Sequence, residues 1–382
     1  MRTLVLHHTL NSAGGGERVS LATIEALKEL GKGKVDLGTV EKTDWKKVKN
    51  TFGEVTLPDK EMNILPFKLS LFGIYQRSLT GLYVYKYRKK YDLIINTHGD
   101  VMPAFCDVTY MHFPTFTLLK QPTLLIKHKD FIKYRKNLFW RIYFIPYEFI
   151  QTKLVKKYLE HSLILTNSRF SQSIIKKWTG KNAQVVYPPV EVEKFYFRSD
   201  SRDNIIVTCS RFTPEKGLNI IPEIASKIPE GKFYIFGSTS KTSWEVISEI
   251  KKAINKFKIK NIYLRPNASL KEMLTIYRKA KIYLHTMINE HFGLSIVEAM
   301  ASGLVPLIHK SGGPYMDILD CKQGIYGFYY KTEDEAVNII KNLLSDESTL
   351  KKIREKAIER SFLFNKNAFK LSFIKAIKHF IE

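Results

Sequence analysis

The stretch 289–313 places two glutamates beside a turn that can bind an anion. Glu290 and Glu298 lie on either side of Phe292-Gly293, and the apolar residues after Gly293 repeat with helical spacing. Gly293 lets the backbone approach a ligand, and the first N–H groups of the following helix have no partner within it. Such a turn favours phosphate, whereas carboxylates accept hydrogen bonds from hydroxyls. The pattern predicts a ligand with both groups, such as a sugar nucleotide; the alternative is a surface loop with solvated glutamates.

A second candidate anion site follows the strand predicted at 205–210. Arg211 and Lys216 lie in the strand-to-helix turn, where both side chains can point at one anion. The guanidinium offers a planar fork and the ammonium a point charge, so the pair suits a diphosphate. A solvated basic pair is the alternative.

The N-terminal strand at 2–8 runs into a third motif. Gly14, Gly15 and Gly16 open a helix that Gly31 ends, and a strand, a glycine turn and a helix begin a nucleotide-type α/β unit. The turn has neither the G-x-G-x-x-G spacing of dinucleotide sites nor the Gly-Lys-Ser/Thr of a P-loop. A flexible turn without a ligand remains the alternative.

A fourth candidate is His112, at the end of the strand predicted at 107–112. A single histidine at a strand end is more often structural than catalytic. Its candidacy therefore depends on the surrounding sequence, Y-M-H-F-P-T.

Together these motifs resemble the family 4 retaining glycosyltransferases. The string E-x-F-G-L-x-x-x-E-A-M-A-x-G closely resembles that family's donor-binding signature, and S-R-x-x-x-x-K-G and G-G-G-E-R-V are similar to its diphosphate and glycine-turn elements. The sequence around His112 is similar to one in the α-1,2-mannosyltransferase group that extends dolichol-linked oligosaccharides. The resemblance covers nearly the whole chain, although the N-terminal membrane helix of the mannosyltransferases is not recognised in it.

The resemblance implies a role for each motif. His112, Glu290, Arg211 and Lys216 would be catalytic. Glu298 would hold the ribose, Glu290 the sugar hydroxyls, and His112 the transferred sugar. Because no second carboxylate flanks the bond, we expect same-face attack in which the donor phosphate takes the acceptor proton. The full donor-binding set would be Gly14, Gly15, Gly16, Arg211, Lys216, Glu290, Phe292, Gly293, Leu294 and Glu298.

Strands alternate with helices along the chain, which predicts an α/β protein with parallel sheets. A length of 382 residues suits two domains. The resemblance implies two facing doubly wound, Rossmann-like domains, the GT-B fold. We expect an acceptor-binding domain at 1–197, a donor-binding domain at 198–365, and a C-terminal helix at 366–382 that crosses back to the first domain.

The charge balance favours polyanionic partners. Lys and Arg number 61 against 37 Asp and Glu, a net charge of +24, which suits nucleotide phosphates, pyrophosphate lipids, an anionic membrane or nucleic acid. No nucleic-acid-binding motif accompanies the charge, so nucleic acid is not expected. Three cysteines without paired spacing indicate a reducing compartment. No Asp or His cluster suggests a metal, so we expect metal-independent chemistry with no cofactor beyond the nucleotide sugar.

The stretch 121–161 interleaves basic and aromatic residues. It fits a membrane interface, with aromatic rings at headgroup level and lysines on anionic lipid. It fits equally well a helical pair with one core face and one solvated basic face. No signal peptide or spanning segment is recognised, so we expect a cytoplasmic protein held peripherally at the inner membrane face.

The sequence therefore predicts a retaining hexosyltransferase. The resemblance alone implies GDP-mannose as the donor, an α-linkage, and a polyprenyl-phosphate-linked or other glycan as the acceptor. One alternative is a UDP-sugar-dependent transferase of the same fold. The other is a basic protein that binds nucleic acid or membrane and has no donor site.

Overall fold

The structure, a computed structural model, describes residues 1–12, 14–66, 73–99, 104–114, 138–197, 201–240 and 243–382. These residues form two compact units. The first unit holds the described residues up to Pro189 together with Lys366–Glu382. The second unit is the described part of Val190–Asn365.

The described residues of the first unit build a seven-stranded parallel sheet in the order β3-β2-β1-β4-β5-β6-β7. Leu4, Val5 and Leu6 of the central strand β1 are all fully buried, as expected for a parallel strand covered on both faces. Because β1 lies between β2 and β4, the sheet is doubly wound. The strands are β1 Arg2–Leu6, β2 Lys34–Glu41, β3 Lys60–Leu65, β4 Leu93–Asn96, β5 Val108–Met111, β6 Leu163–Thr166 and β7 Gln184–Val185.

The C-terminal segment is an integral part of the first unit. Lys370 Nζ lies 3.1 Å from Glu25 and 2.7 Å from Glu29 on the first helix, and Phe369 and Phe373 are buried in the core of this unit. The helices of the unit are Gly15–Glu29, Trp45–Phe52, Gly73–Gln76, Gly81–Tyr87, Leu138–Phe149, Val155–Tyr158, Arg169–Thr179, Lys366–Ala376 and Lys378–Ile381.

The second unit repeats this architecture with six parallel strands in the order β10-β9-β8-β11-β12-β13. The predicted α/β class with two Rossmann-like sheets is therefore confirmed. The strands are β8 Ile205–Cys209, β9 Lys232–Gly237, β10 Ile262–Pro266, β11 Ile282–His285, β12 Val305–His309 and β13 Phe328–Tyr330.

Residues just before the sheet of the second unit also pack within it. The domain boundary is expected at residue 197, whereas the helix Val192–Phe195 lies in the second unit. There Ser302 Oγ donates to the Phe195 carbonyl at 3.0 Å. The helices of this unit are Val192–Phe195, Ile221–Ser226, Ser243–Lys256, Leu270–Tyr277, Leu294–Ala301, Glu333–Ser345 and Glu347–Ser361.

The basic aromatic stretch is described only from residue 138 onward, and 121–137 lies outside the described residues. Helix Leu138–Phe149 carries an apolar face that is more than half exposed, formed by Leu138, Ile142, Ile145 and Phe149. Their spacing of four, three and four residues puts them on one side of the helix. In the described part of the chain, no helix is long and apolar enough to span a bilayer.

Candidate active site

In the second unit, the loops after β8 and β11 bring Lys216 and Glu290 together. Lys216 Nζ lies 2.5 Å from Glu290 Oε2, and each side chain is only 14% exposed. The backbone of Lys216 is also held, because the Thr286 hydroxyl donates to its carbonyl at 2.6 Å. Two residues predicted to contact different parts of one ligand thus form an ion pair at the carboxyl edge of the sheet, where doubly wound folds bind ligands.

The charge state of this pair follows from its surroundings. His285 Nε2 lies 3.5 Å from the same Glu290 oxygen. Burial acts to raise the pKa of Glu290, but Lys216, His285 and His291 outweigh it and hold that pKa well below its ordinary value. Burial also lowers the pKa of His285, although Glu290 opposes that shift. At neutral pH Glu290 is therefore a carboxylate and His285 a neutral imidazole.

Close backbone packing fixes the loop that carries Glu290. Gly312 has a φ of +71°, and a Cβ there would lie 2.3 Å from the Glu290 carbonyl oxygen, so only glycine fits. The N–H of Gly313 donates to that same carbonyl at 2.8 Å. Gly293, with a φ of +98°, then turns the chain into helix Leu294–Ala301. The glycines after β12 thus set the position of Glu290.

The turn at Phe292 offers backbone rather than side chains to a ligand. The Phe292 ring is 3% exposed and packs edge-on against Phe364, with ring centroids 5.4 Å apart. Leu294 is the first residue of the helix, so the N–H groups from Gly293 onward include those without a helical acceptor. Predicted donor contacts at Phe292, Gly293 and Leu294 would therefore be hydrogen bonds from the main chain.

Glu298 is buried in this helix, with 7% of its surface exposed. Burial raises the pKa values of Tyr277 and Tyr283 well above the ordinary value, and the Glu298 charge adds to both shifts. Tyr283 donates its hydroxyl proton to the Cys209 carbonyl at 2.9 Å. Glu298 is thus in electrostatic range of the end of β8, the strand that leads into the Arg211–Lys216 turn.

Arg211 lies at the surface of that turn. Its side chain is 68% exposed, and its guanidinium is 3.9 Å from the Glu215 carboxylate. An exposed ion pair at this distance contributes little to stability, so a ligand can recruit the guanidinium at small cost. Lys216 is therefore held by Glu290, whereas Arg211 is accessible.

In the first unit, the glycine turn meets His112. Gly14 precedes helix Gly15–Glu29, and its N–H donates to the Glu17 carboxylate at 2.9 Å. A Cβ at Gly16 would lie 3.4 Å from His112 Nε2 and 3.6 Å from His7 Cε1. The first turn of this helix therefore lies directly against two imidazole rings.

His112 follows β5 and has a defined hydrogen bond. Its Nε2 lies 3.0 Å from the Thr97 carbonyl oxygen, which can only accept, so the ring donates from Nε2. Burial lowers the pKa of His112, and the ring is therefore neutral at neutral pH. The other ring nitrogen is then a hydrogen-bond acceptor, which suits a ligand hydroxyl.

The structure adds three histidines that the sequence analysis did not single out. His7 and His8 follow β1, and the ring centroid of His98, after β4, lies 5.1 Å and 5.4 Å from theirs. Burial lowers the pKa of His7 to about 3 and that of His8 to about 4. Polar residues directly after apolar strands were the available signal, but only the strand order brings β1, β4 and β5 side by side. Among the described side chains, no group of three or more His, Cys, Asp or Glu is arranged to hold a metal ion.

Comparison with known proteins identifies relatives. Residues 190–360 match the family model described as Glycosyl transferases group 1. The chain is 30% identical over 234 residues to the Kluyveromyces lactis GDP-Man:Man(3)GlcNAc(2)-PP-Dol alpha-1,2-mannosyltransferase, covering 56% of this chain and 40% of that protein. It is 26% identical over 303 residues to the Homo sapiens protein of the same name, covering 72% and 61%. The chain thus spans about half the length of these relatives.

Among solved structures, Anabaena HepE in complex with UDP is similar to this chain along its whole length. The TM-score is 0.73 at 16% identity, with 99% of this chain and 100% of that chain covered. At this identity the similarity concerns the fold, which agrees with the two parallel sheets described above. Residues 190–360, nearly all of the second unit, thus carry the glycosyltransferase group 1 match, and the whole chain has the GT-B fold.

Proposed function

We propose that this chain transfers a hexose from a nucleotide sugar to a glycan acceptor and retains the anomeric configuration. The observation that carries the proposal is the Lys216–Glu290 pair at the carboxyl edge of the second sheet, beside the helix start at Gly293. A cation and a helix N-terminus suit a diphosphate, whereas a carboxylate suits sugar hydroxyls.

GDP-mannose is the donor that the relatives favour, because the names of both mannosyltransferases specify GDP-Man. The same names specify an oligosaccharide on PP-Dol, which supports a polyprenyl-phosphate-linked or similar glycan acceptor. A UDP sugar is the second candidate, because the HepE structure contains UDP.

In the proposed reaction, the acceptor hydroxyl oxygen bonds to the anomeric carbon on the face from which the diphosphate leaves. The acceptor proton passes to an oxygen of the leaving diphosphate, and the products are a glycoside and a nucleoside diphosphate. Negative charge grows on the diphosphate, where Lys216, Arg211 and the N–H groups at Gly293 stabilise it. We propose that these groups replace a metal ion.

The remaining residues recognise hydroxyls. Glu290 accepts hydrogen bonds from the sugar and Glu298 from the ribose. His112 contacts the transferred sugar through its acceptor nitrogen. Each of these groups is buried or half-buried, so each hydrogen bond forms where water competes weakly.

Titration calorimetry tests the donor site. GDP-mannose, UDP-glucose, UDP-N-acetylglucosamine and the nucleoside diphosphates are titrated with and without EDTA. We expect one donor to bind regardless of EDTA and Lys216→Ala to abolish binding. The control is Lys227→Ala, an exposed lysine of the same unit paired with Asp334 at 2.8 Å. If no nucleotide sugar binds while short DNA binds in a strongly salt-dependent way, polyanion binding is the function instead.

An anionic membrane is the second partner we propose. The apolar face of helix Leu138–Phe149 is exposed, and exposed cations accompany it. Apolar side chains enter the headgroup boundary while cations pair with lipid phosphates. This holds the enzyme peripherally at the cytoplasmic membrane face, next to a lipid-linked acceptor. The exposed cations are Arg141, Lys153, Lys156 and Lys157.

Vesicle sedimentation tests this surface. We expect binding to phosphatidylglycerol vesicles, little binding to phosphatidylcholine, and a loss of about tenfold or more in Ile142→Ser/Ile145→Ser. The control is Leu371→Ser, which alters a 74% exposed leucine elsewhere in the same unit. If the double variant instead dissociates a dimer and vesicles do not bind, the face contacts a second copy of the chain.

A further inference from the structure

One buried residue, Thr97, joins the glycine-turn helix to two histidines. Its hydroxyl oxygen lies 2.9 Å from the Leu6 carbonyl, 3.0 Å from Ser20 Oγ and 2.9 Å from His7 Nδ1. Its own carbonyl oxygen lies 3.0 Å from His112 Nε2. Ser20 is on helix Gly15–Glu29, and Thr97 itself is fully buried.

The hydrogen bonds of Thr97 assign protons to both rings. A hydroxyl has one proton, and the Thr97 hydroxyl is placed to donate it to the Leu6 carbonyl or to Ser20 Oγ. A lone pair of that hydroxyl is then left to accept from His7, which makes His7 a donor at Nδ1. The Thr97 carbonyl likewise requires a donor at Nε2 of His112. The two rings are thus held in opposite tautomers.

The surroundings keep both rings neutral. Burial is the main cause that lowers the pKa of His7 to about 3, with His112 and His8 adding to the shift. Burial also lowers the pKa of His112. Burial lowers the pKa values of His8 and His98, and the positive charge of Arg77 lowers both further. The tautomers set by Thr97 therefore persist through the physiological range.

We propose that Thr97 is a positioning residue that fixes His112 as the Nε2–H tautomer, so that Nδ1 accepts a hydrogen bond from a hydroxyl of the transferred sugar. The Thr97 hydroxyl supports this by fixing His7, which lies beside His112 against Gly16. This role rests on the proposed transferase activity. The assignment of the two tautomers does not depend on that activity.

The first experiment needs no substrate. In chain labelled with ¹⁵N-histidine, imidazole nitrogen shifts are measured between pH 5 and 8. We expect Nδ1–H at His7 and Nε2–H at His112, with no titration of His7 in this range and a pKa of His112 below the ordinary 6.5. A His112 signal of the Nδ1–H tautomer, or a ring that titrates near 6.5, overturns the proposal.

The second experiment removes only the hydroxyl. In Thr97→Val the carbonyl remains, so we expect His112 to keep its tautomer while His7 loses its own. Because a His7 ring released from Thr97 no longer fixes the place of the His112 ring beside it at Gly16, we expect kcat to fall about tenfold with little change in donor KM, and Thr97→Ser to restore it. The positioning role of Thr97 is overturned if Thr97→Val has the kcat of the wild type. It is also overturned if kcat falls as far in Thr97→Ser as in Thr97→Val. If the rings behave as predicted but no donor is turned over, the proposed function fails and the tautomer assignment stands.

Discussion

The cluster around Lys216 in the second unit is charged, whereas the cluster around His112 in the first unit is neutral. Lys216 and Glu290 form a nearly buried ion pair, and the pKa of Glu290 is held well below its ordinary value despite its burial. In the first unit, burial lowers the pKa values of His7 and His112, and both rings stay uncharged. Both clusters lie at the carboxyl edge of a doubly wound sheet.

The contrast separates two kinds of recognition. A diphosphate requires fixed positive charge, and a charge can stay buried only with a partner such as Glu290. A hydroxyl requires an oriented donor or acceptor without net charge, and a neutral imidazole of defined tautomer supplies it. The same fold therefore acquires different chemistry from the residues that follow its central strands.

Lys216→Ala should cause the largest change, because it removes the buried cation. We expect kcat/KM to fall about 100- to 1000-fold, as when one charge-stabilising group is removed from an active site. Because the variant leaves the nearly buried Glu290 carboxylate without its cation, the free energy of unfolding should also fall by about 3 kcal/mol. Steady-state kinetics and urea unfolding measure the two effects. Wild-type nucleoside diphosphate affinity in this variant would contradict the assignment of Lys216 to the phosphates.

Glu290→Gln should separate phosphate from hydroxyl recognition. The amide keeps the shape of the side chain but removes its charge, so Lys216 loses its competing partner. We expect a fall in kcat/KM of about 10- to 100-fold, together with nucleoside diphosphate affinity equal to or above that of the wild type. The matched control is Glu272→Gln, an exposed glutamate 3.3 Å from Arg265. An equal loss of affinity for the nucleoside diphosphate and the donor would show that Glu290 does not act on the sugar.

Sequence alone could predict most of the second unit, because its signals are local. The strand predicted at 205–210 is found at Ile205–Cys209, since an apolar run with polar residues at both ends defines it. Ser269 and Glu272 have the spacing of a capping box, and the Ser269 side chain accepts from the N–H of Glu272. By contrast, no clear signal marks Lys60–Leu65 of the first unit, because this partly exposed edge strand begins with two charged residues.

The relations between distant residues could not be predicted. Lys216 and Glu290 are predicted to contact different parts of one ligand, but a separation of 74 residues hides their contact with each other. Thr97 and His7 had no motif, and their proximity depends on β1 lying beside β4. The sequence also left open which side of helix Leu138–Phe149 faces solvent.

His112→Ala should have a smaller effect than either change in the charged cluster, because it removes one neutral hydrogen bond. We expect kcat/KM to fall about tenfold while nucleoside diphosphate affinity is unchanged. His379→Ala, at an exposed histidine of the same unit, is the control. The same assay with a deoxy-sugar donor sharpens the result, since one missing hydroxyl should make wild type and variant equal. A loss of diphosphate affinity in His112→Ala would instead place this ring at the phosphates.

His7→Asn should have the smallest effect of these changes. It should alter only how the free energy of unfolding depends on pH. The pKa of His7 is about 3 in the folded chain against an ordinary 6.5. Between these values the unfolded chain binds a proton that the folded chain does not, so stability falls as the pH falls. The slope is about 1.4 kcal/mol per pH unit. The amide of asparagine can replace Nδ1–H as donor to Thr97 but does not titrate.

The free energy of unfolding of wild type should therefore fall by about 2 kcal/mol more than that of His7→Asn when the pH is lowered from 7 to 5. Hydrogen exchange of peptides from β1 and β4 measures this within the first unit. His379→Asn, at an exposed histidine of the same unit, is the control variant. The Lys216–Glu290 pair should not add to this pH dependence between pH 7 and 5. Because the pKa of Glu290 in the folded chain lies well below its ordinary value, the stability that the pair contributes is lost only at pH values below about 4.5. Equal pH slopes in His7→Asn and wild type would mean that His7 is charged in the folded chain, and the neutral cluster would lose its central ring.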